Sequence, residues 1–135
     1  MERYLGISSV AFGQTPLPLP LSVRVTRQAQ LEPAASDADL YATSVQLTRP
    51  TIAAEVRIRD TAAPEGMSLG QKADLSFTIA PAQSGAPGRR VTLSGAVLVA
   101  VELAYEQSSL ATATLRFVCE SQDGQTDPFA AEEAQ

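Results

Sequence analysis

The stretch VTLSGAVLVAVELAYEQSSLATATLRFVCESQDGQTDP, residues 91–128, reads as a strand, a turn, a second strand and a closing turn. In its first arm Val91, Leu93, Val97, Val99, Val101 and Leu103 share one parity, interrupted by Gly95. In its second arm Ala111, Ala113, Leu115, Phe117 and Cys119 do the same, with Thr112, Thr114, Arg116 and Glu120 between them. Side chains alternate faces along a strand, so each arm has an apolar side and a mostly polar side. Glu106-Gln107-Ser108-Ser109 is polar enough to turn, and Asp123-Gly124 with Asp127-Pro128 ends the second arm.

Working outward, the rest of the chain repeats this pattern. A first strand is expected over residues 3–12. Leu17-Pro18-Leu19-Pro20-Leu21 is extended, but its prolines lack the donors of a central strand. The leucines stay in phase with Val23, Val25, Ala29 and Leu31, broken only by Arg27, which predicts a strand over 21–31. Residues 32–40 read as a loop, with room for one helical turn capped by Ser36. Tyr41, Thr43, Val45 and Leu47 then alternate, and the phase slips before Ile52, Ala54, Val56 and Ile58. A one-residue shift turns every side chain over, so Arg49-Pro50 must hold a bulge, a turn or a crossing between sheets. Residues 61–70 form a second loop, and Leu75, Phe77 and Ile79 mark another strand.

No stretch has strong helical spacing. Short strands between proline and glycine turns predict an all-β fold, an antiparallel β-sandwich or barrel-like domain with long loops and at most one short helix. The expected organisation is one domain over residues 1–129 and an acidic flexible tail over 130–135.

Composition removes several function classes. The net charge of −5 opposes the electrostatic grip on phosphates that nucleic-acid binding needs, and opposes docking on an anionic membrane. No apolar run approaches the length of a membrane span, and the start of the chain shows no secretory pattern. There is no histidine, which removes the commonest general base and zinc ligand. The single cysteine, Cys119, forms no intrachain disulfide, and its parity predicts a buried, inert thiol. Asp37 and Asp39 lack the further ligands of an EF-hand loop, and Asp123 and Asp127 sit in turn sequence. No catalytic residue, metal site or cofactor is expected.

The second arm carries a resemblance. Leu110-Ala111-Thr112-Ala113-Thr114-Leu115-Arg116-Phe117 and Ser121-Gln122-Asp123-Gly124-Gln125-Thr126-Asp127-Pro128 resemble the C-terminal end of tail tube proteins of tailed bacteriophages. Leu69-Gly70 and Arg90-Val91-Thr92-Leu93-Ser94-Gly95-Ala96-Val97-Leu98 are similar to them as well. The resemblance implies a non-enzymatic virion subunit, made in the bacterial cytoplasm, that builds hexameric rings. The rings would stack with other phage tail proteins into a hollow tube, through which DNA passes without sequence-specific binding.

Two readings of function follow. The first is this self-assembling tube subunit. Its candidate assembly face is the outward row of the first arm, Thr92, Ser94, Ala96, Leu98 and Ala100, where Glu102 is the arm's one charge. Either another segment of the chain covers that mild surface or a neighbouring subunit does, and the resemblance favours the neighbour. Candidate assembly loops carry Glu32, Asp37, Asp39, Asp60 and Glu65. The alternative is a non-catalytic β-sandwich binding module for a carbohydrate or protein surface. Sugar-binding faces usually offer aromatic platforms, and only Tyr4, Tyr41 and Tyr105 are available here.

Overall fold

A computed structural model describes residues 4–34, 44–81, 88–121 and 127–133. In chain order its elements are β1 (Tyr4–Phe12), β2 (Thr15–Pro16), β3 (Pro20–Ala34), β4 (Ser44–Ile58), α1 (Ala62–Glu65), β5 (Lys72–Pro81), β6 (Arg89–Ala104), β7 (Thr112–Cys119) and β8 (Phe129–Glu133). The strands form one antiparallel sheet in the order β2-β1-β5-β6-β7-β4-β3, with β8 paired to β6. The fold is therefore all-β, with one short helix among the described residues.

The sheet curls on itself. Phe12 on β1 and Phe117 on β7 touch with ring centroids 4.9 Å apart, although β5 and β6 lie between their strands. In a flat sheet those backbones would stand about 14 Å apart, at roughly 4.8 Å per strand. Curling brings their side chains into one core with Leu17, Ile52, Val56, Ile58, Leu75, Leu93, Leu98 and Leu115. β1 and β3, far apart in the hydrogen-bonded order, come into contact. No ladder joins them among the described residues, so the barrel-like sheet stays open.

Two departures from simple alternation shape β6. Gly95 takes φ +65, a conformation that glycine reaches at little cost. Here β6 changes partner. Arg89 to Leu93 pair with β8, and Ala96 to Ala104 pair with β7. Ser94 N donates to Pro128 O at 3.0 Å and Glu120 N to Gly95 O at 2.9 Å, which closes the junction. Farther on, Leu98 faces Phe117 while Ala100 faces Arg116, so Val99 is the extra residue of a bulge. Each irregularity turns the parity over. Val91 and Leu93 are buried, then Ala96 and Leu98, and then Val101 and Leu103 pack partly buried against the core.

The phase slip at Arg49-Pro50 is a bulge. Gln28 pairs with Thr51 and Gln30 with Thr48, two steps on β3 against three on β4. Proline suits that place because a bulged residue need not donate to the ladder. β4 reaches β7 only over Ala53–Ile58. Beyond it, residues 28–34 and 44–51 pair only with each other among the described residues, as a two-stranded ribbon about 20 Å long.

Three expectations change. The loop placed at 32–40 begins later, because β3 continues to Ala34; Ser36 lies outside the described residues. A short helix lies at Ala62–Glu65, within the second expected loop, where Asp60 Oδ2, one residue ahead of the N-cap Thr61, accepts from Ala63 N at 3.3 Å. The flexible tail expected over 130–135 gives way to β8 as far as Glu133. β7 pairs with β6 only from Ala96 onward, so the edge of β6 over Arg89–Leu93 provides the pairing donors and acceptors for β8.

Cys119 is half-buried beside the core rather than wholly buried. Burial pushes its thiol above the ordinary range, which lowers the thiolate fraction at neutral pH. Labelling of the native protein by a neutral thiol reagent is expected to be slower than in urea. Equal rates would place the thiol in open solvent.

Candidate assembly surfaces

The row proposed from sequence as an assembly face does not form one face. Ala96 and Leu98 are fully buried, Thr92 and Ala100 are half-buried, and Ser94 is exposed. The cause is the reversal at Gly95, which puts Ala96 and Leu98 in the core and Val99 out, followed by the bulge at Val99, which keeps Ala100 from joining them. Val99 is 49% exposed beside Val118, which is 39% exposed.

These two valines lie on a groove of about 300 Å³ on the outer side of β3, β4, β7 and β6, floored by Ala53 and bordered by Arg24, Glu55 and Arg116. The register sets Arg24 opposite Glu55 and Glu55 opposite Arg116. Arg116 Nε lies 3.6 Å from Glu55 Oε2, an exposed pair of small energetic value. Arg24 makes no ion pair among the described residues.

The candidate loop residues scatter. Glu32 lies inside β3 opposite Gln46, and Asp37 and Asp39 lie outside the described residues. Asp60 is half-buried and accepts from Ala63 N just ahead of the short helix. Glu65 is exposed and accepts a 2.6 Å hydrogen bond from the Tyr105 hydroxyl. That hydrogen bond keeps the phenol protonated and raises the Tyr105 pKa, followed in order by burial and by the carboxylate's charge. Tyr105 and Leu110 bracket the turn between β6 and β7 at 62% and 67% exposure. Between them Glu106 accepts from the Ser109 hydroxyl. Sequence reasoning named Tyr105 only as a possible sugar platform and did not join it to Leu110, because the residues between them read as an ordinary polar turn. A turn flanked by a tyrosine and a leucine was the available signal.

Two more leucines escape the apolar phase. Leu19 has φ +54, the one positive value for a non-glycine among the described residues, and Leu21 falls where β3 shifts register against β4. Both are exposed, whereas Leu17 is buried. Arg27, which broke the same row, has a structural use. Its Nη2 lies 2.7 Å from Asp127 Oδ2 and its guanidinium stands 4.9 Å from the Phe129 ring centroid. The base of the ribbon is thereby tied to β8, a tie worth about 1 kcal/mol for partners half in solvent. Asp127 thus serves a contact and a turn, its other oxygen accepting from Phe129 N at 2.9 Å. Asp123 lies outside the described residues.

Among the described residues no three acidic, cysteine or histidine side chains gather as a metal site would require. No helix there is long and apolar enough to cross a membrane.

No protein-family model matches the chain, and no curated protein matches it in sequence. Solved structures do match in fold. A chain of an extracellular contractile injection system, the PVC sheath–tube complex in its extended state, superposes with a TM-score of 0.62 at 11% identity. The match covers 93% of this chain and 88% of that one. The anti-feeding prophage cap, an AFP tube-terminating cap, matches with a TM-score of 0.56 at 10% identity, over 93% of this chain and 87% of that one. At such identities the likeness is one of fold.

Proposed function

We propose that this chain is a structural, non-enzymatic subunit of a tube of the kind found in phage tails and contractile injection systems, and that it acts by self-association. The observation that supports this most is the extent of the fold match. It spans nearly all of both chains and involves two assemblies whose names include a tube. The surface agrees with an assembling subunit. Leu19, Leu21, Val99, Tyr105, Leu110 and Val118 are exposed, and several are held out by backbone irregularities. Irregular backbone that presents apolar side chains costs stability in the free subunit and is recovered when a partner covers them.

The finer reading is six subunits to a ring, with rings stacked around a lumen and other tail components at the ends. If the cargo is DNA, an acidic balance suits a conduit, because a wall of like charge does not hold the polymer. Such a tube would belong to a virion tail or a related secreted particle.

Purified protein at rising concentration is expected to form rings or tubes in negative-stain micrographs, with six-fold averages of end-on views. Light scattering that reports a monodisperse monomer at every concentration would remove this reading and favour the binding module. A ring of another order would keep assembly and correct the symmetry.

A further inference from the structure

The β6–β7 hairpin carries two unlike surfaces. Near its middle is the groove, where Val99 faces solvent beside Val118 and where Arg24 and Arg116 stand on the border. At its end is the turn, with Tyr105 and Leu110 exposed and with Glu106 and Glu65 around them. The first surface is apolar with arginines at its edge. The second is apolar with carboxylates at its edge, and neither glutamate has a cationic partner among the described residues.

We propose that the Tyr105–Leu110 turn of one copy docks in the Val99–Val118 groove of a second copy, with Glu106 and Glu65 facing Arg24 and Arg116. This rests on the self-association reading and names the contact that would carry it. The occupant is chosen by charge complementarity. The groove's border carries two guanidiniums against one carboxylate, and the turn brings two carboxylates with two apolar side chains. Size agrees as well. About 300 Å³ lies at the low end for ligand pockets and suits a pair of side chains more than a larger molecule.

A chain does not fill its own groove. Val99 and Tyr105 are six residues apart on the same arm, about 20 Å along an extended strand, so the contact forms between copies. Because the two patches differ, each docked copy keeps one of each unused. Such contacts propagate and either close as a ring or grow as a filament.

Charge exchange tests this. Arg24→Glu and Glu106→Arg alter exposed side chains outside the core, and circular dichroism melts matching wild type would show that both variants fold. Each alone is expected to need about tenfold more protein for half-assembly by sedimentation velocity, because like charges then face each other. Mixing the two variants in equal amounts is expected to restore assembly, and so is combining both changes in one chain. Leu110→Ser, which leaves the charges alone, is expected to weaken assembly without rescue by either partner. Wild-type protein that assembles alongside single variants that assemble equally well would overturn this docking pair and leave self-association standing. Single variants that fail with no recovery on mixing would overturn the pairing as drawn. Wild-type protein that never associates would overturn both the pairing and the reading beneath it.

Discussion

Leu98→Lys is expected to leave little folded protein. The alternation of β6 taken alone puts Leu98 on the outer face, where a lysine would only weaken assembly. In the folded chain Leu98 is 0% exposed and lies opposite Phe117, also 0% exposed. Its backbone is engaged as well, with Leu98 N donating to Gln71 O at 2.9 Å and Leu98 O accepting from Gly70 N at 2.8 Å. Lysine would forfeit about 2 kcal/mol of apolar burial and bring an ammonium with no buried partner, costing several kcal/mol more. Total stability for a domain of this size is about 5–15 kcal/mol. Loss of the cooperative urea transition, followed by circular dichroism, is the expected result. Leu115→Asp and Phe117→Asp belong to the same class, since both side chains are fully enclosed. A Leu98→Lys variant that melts with wild type would mean that the phase reversal at Gly95 is misplaced.

Gly95→Val should be nearly as damaging, for a backbone reason. A Cβ built on Gly95 would sit 2.4 Å from the carbonyl oxygen of Glu120, which cannot move without opening the junction where β6 passes from β8 to β7. The φ of +65 adds strain that a β-branched residue tolerates poorly. Strain and clash together are expected to cost roughly 3–5 kcal/mol, read as a shift of the urea midpoint. Gly70→Ala separates the two causes. Gly70 has φ +90, but a Cβ there meets nothing within 4 Å, so only strain remains, about 1 kcal/mol. Equal midpoints for Gly95→Ala and Gly70→Ala would show that the Glu120 carbonyl yields and that strain alone governs both sites.

The all-β class, the long hairpin and the slip at Arg49-Pro50 were legible from residue order, because each depends on local parity and on which residues lack a donor or a Cβ. Leu75, Phe77, Leu93, Leu115 and Phe117 were legible as core for the same reason. Gly95 was visible as an interruption, but not its consequence. Whether a glycine in a strand continues the phase or reverses it depends on what the neighbouring strands do, and here β7 and β8 meet β6 on either side of it. Val99 had no local marker, since its bulge exists only as a mismatch against β7. The candidate face was lost to those two places, and the groove and the turn replaced it.

The sequence by itself determined that this chain builds antiparallel strands around a Val-, Leu- and Ala-rich interior, because alternation and turn residues act over a few positions. Only the tertiary structure decided which alternating rows end inside. It placed Phe12 against Phe117 by curling the sheet, used Arg27 to hold Asp127 and Phe129, and carried β3 and β4 beyond the sheet as a ribbon. The physical reason is that register and curl are set by pairing between residues far apart in the chain. One residue of register is enough to exchange a sheet's inner and outer faces.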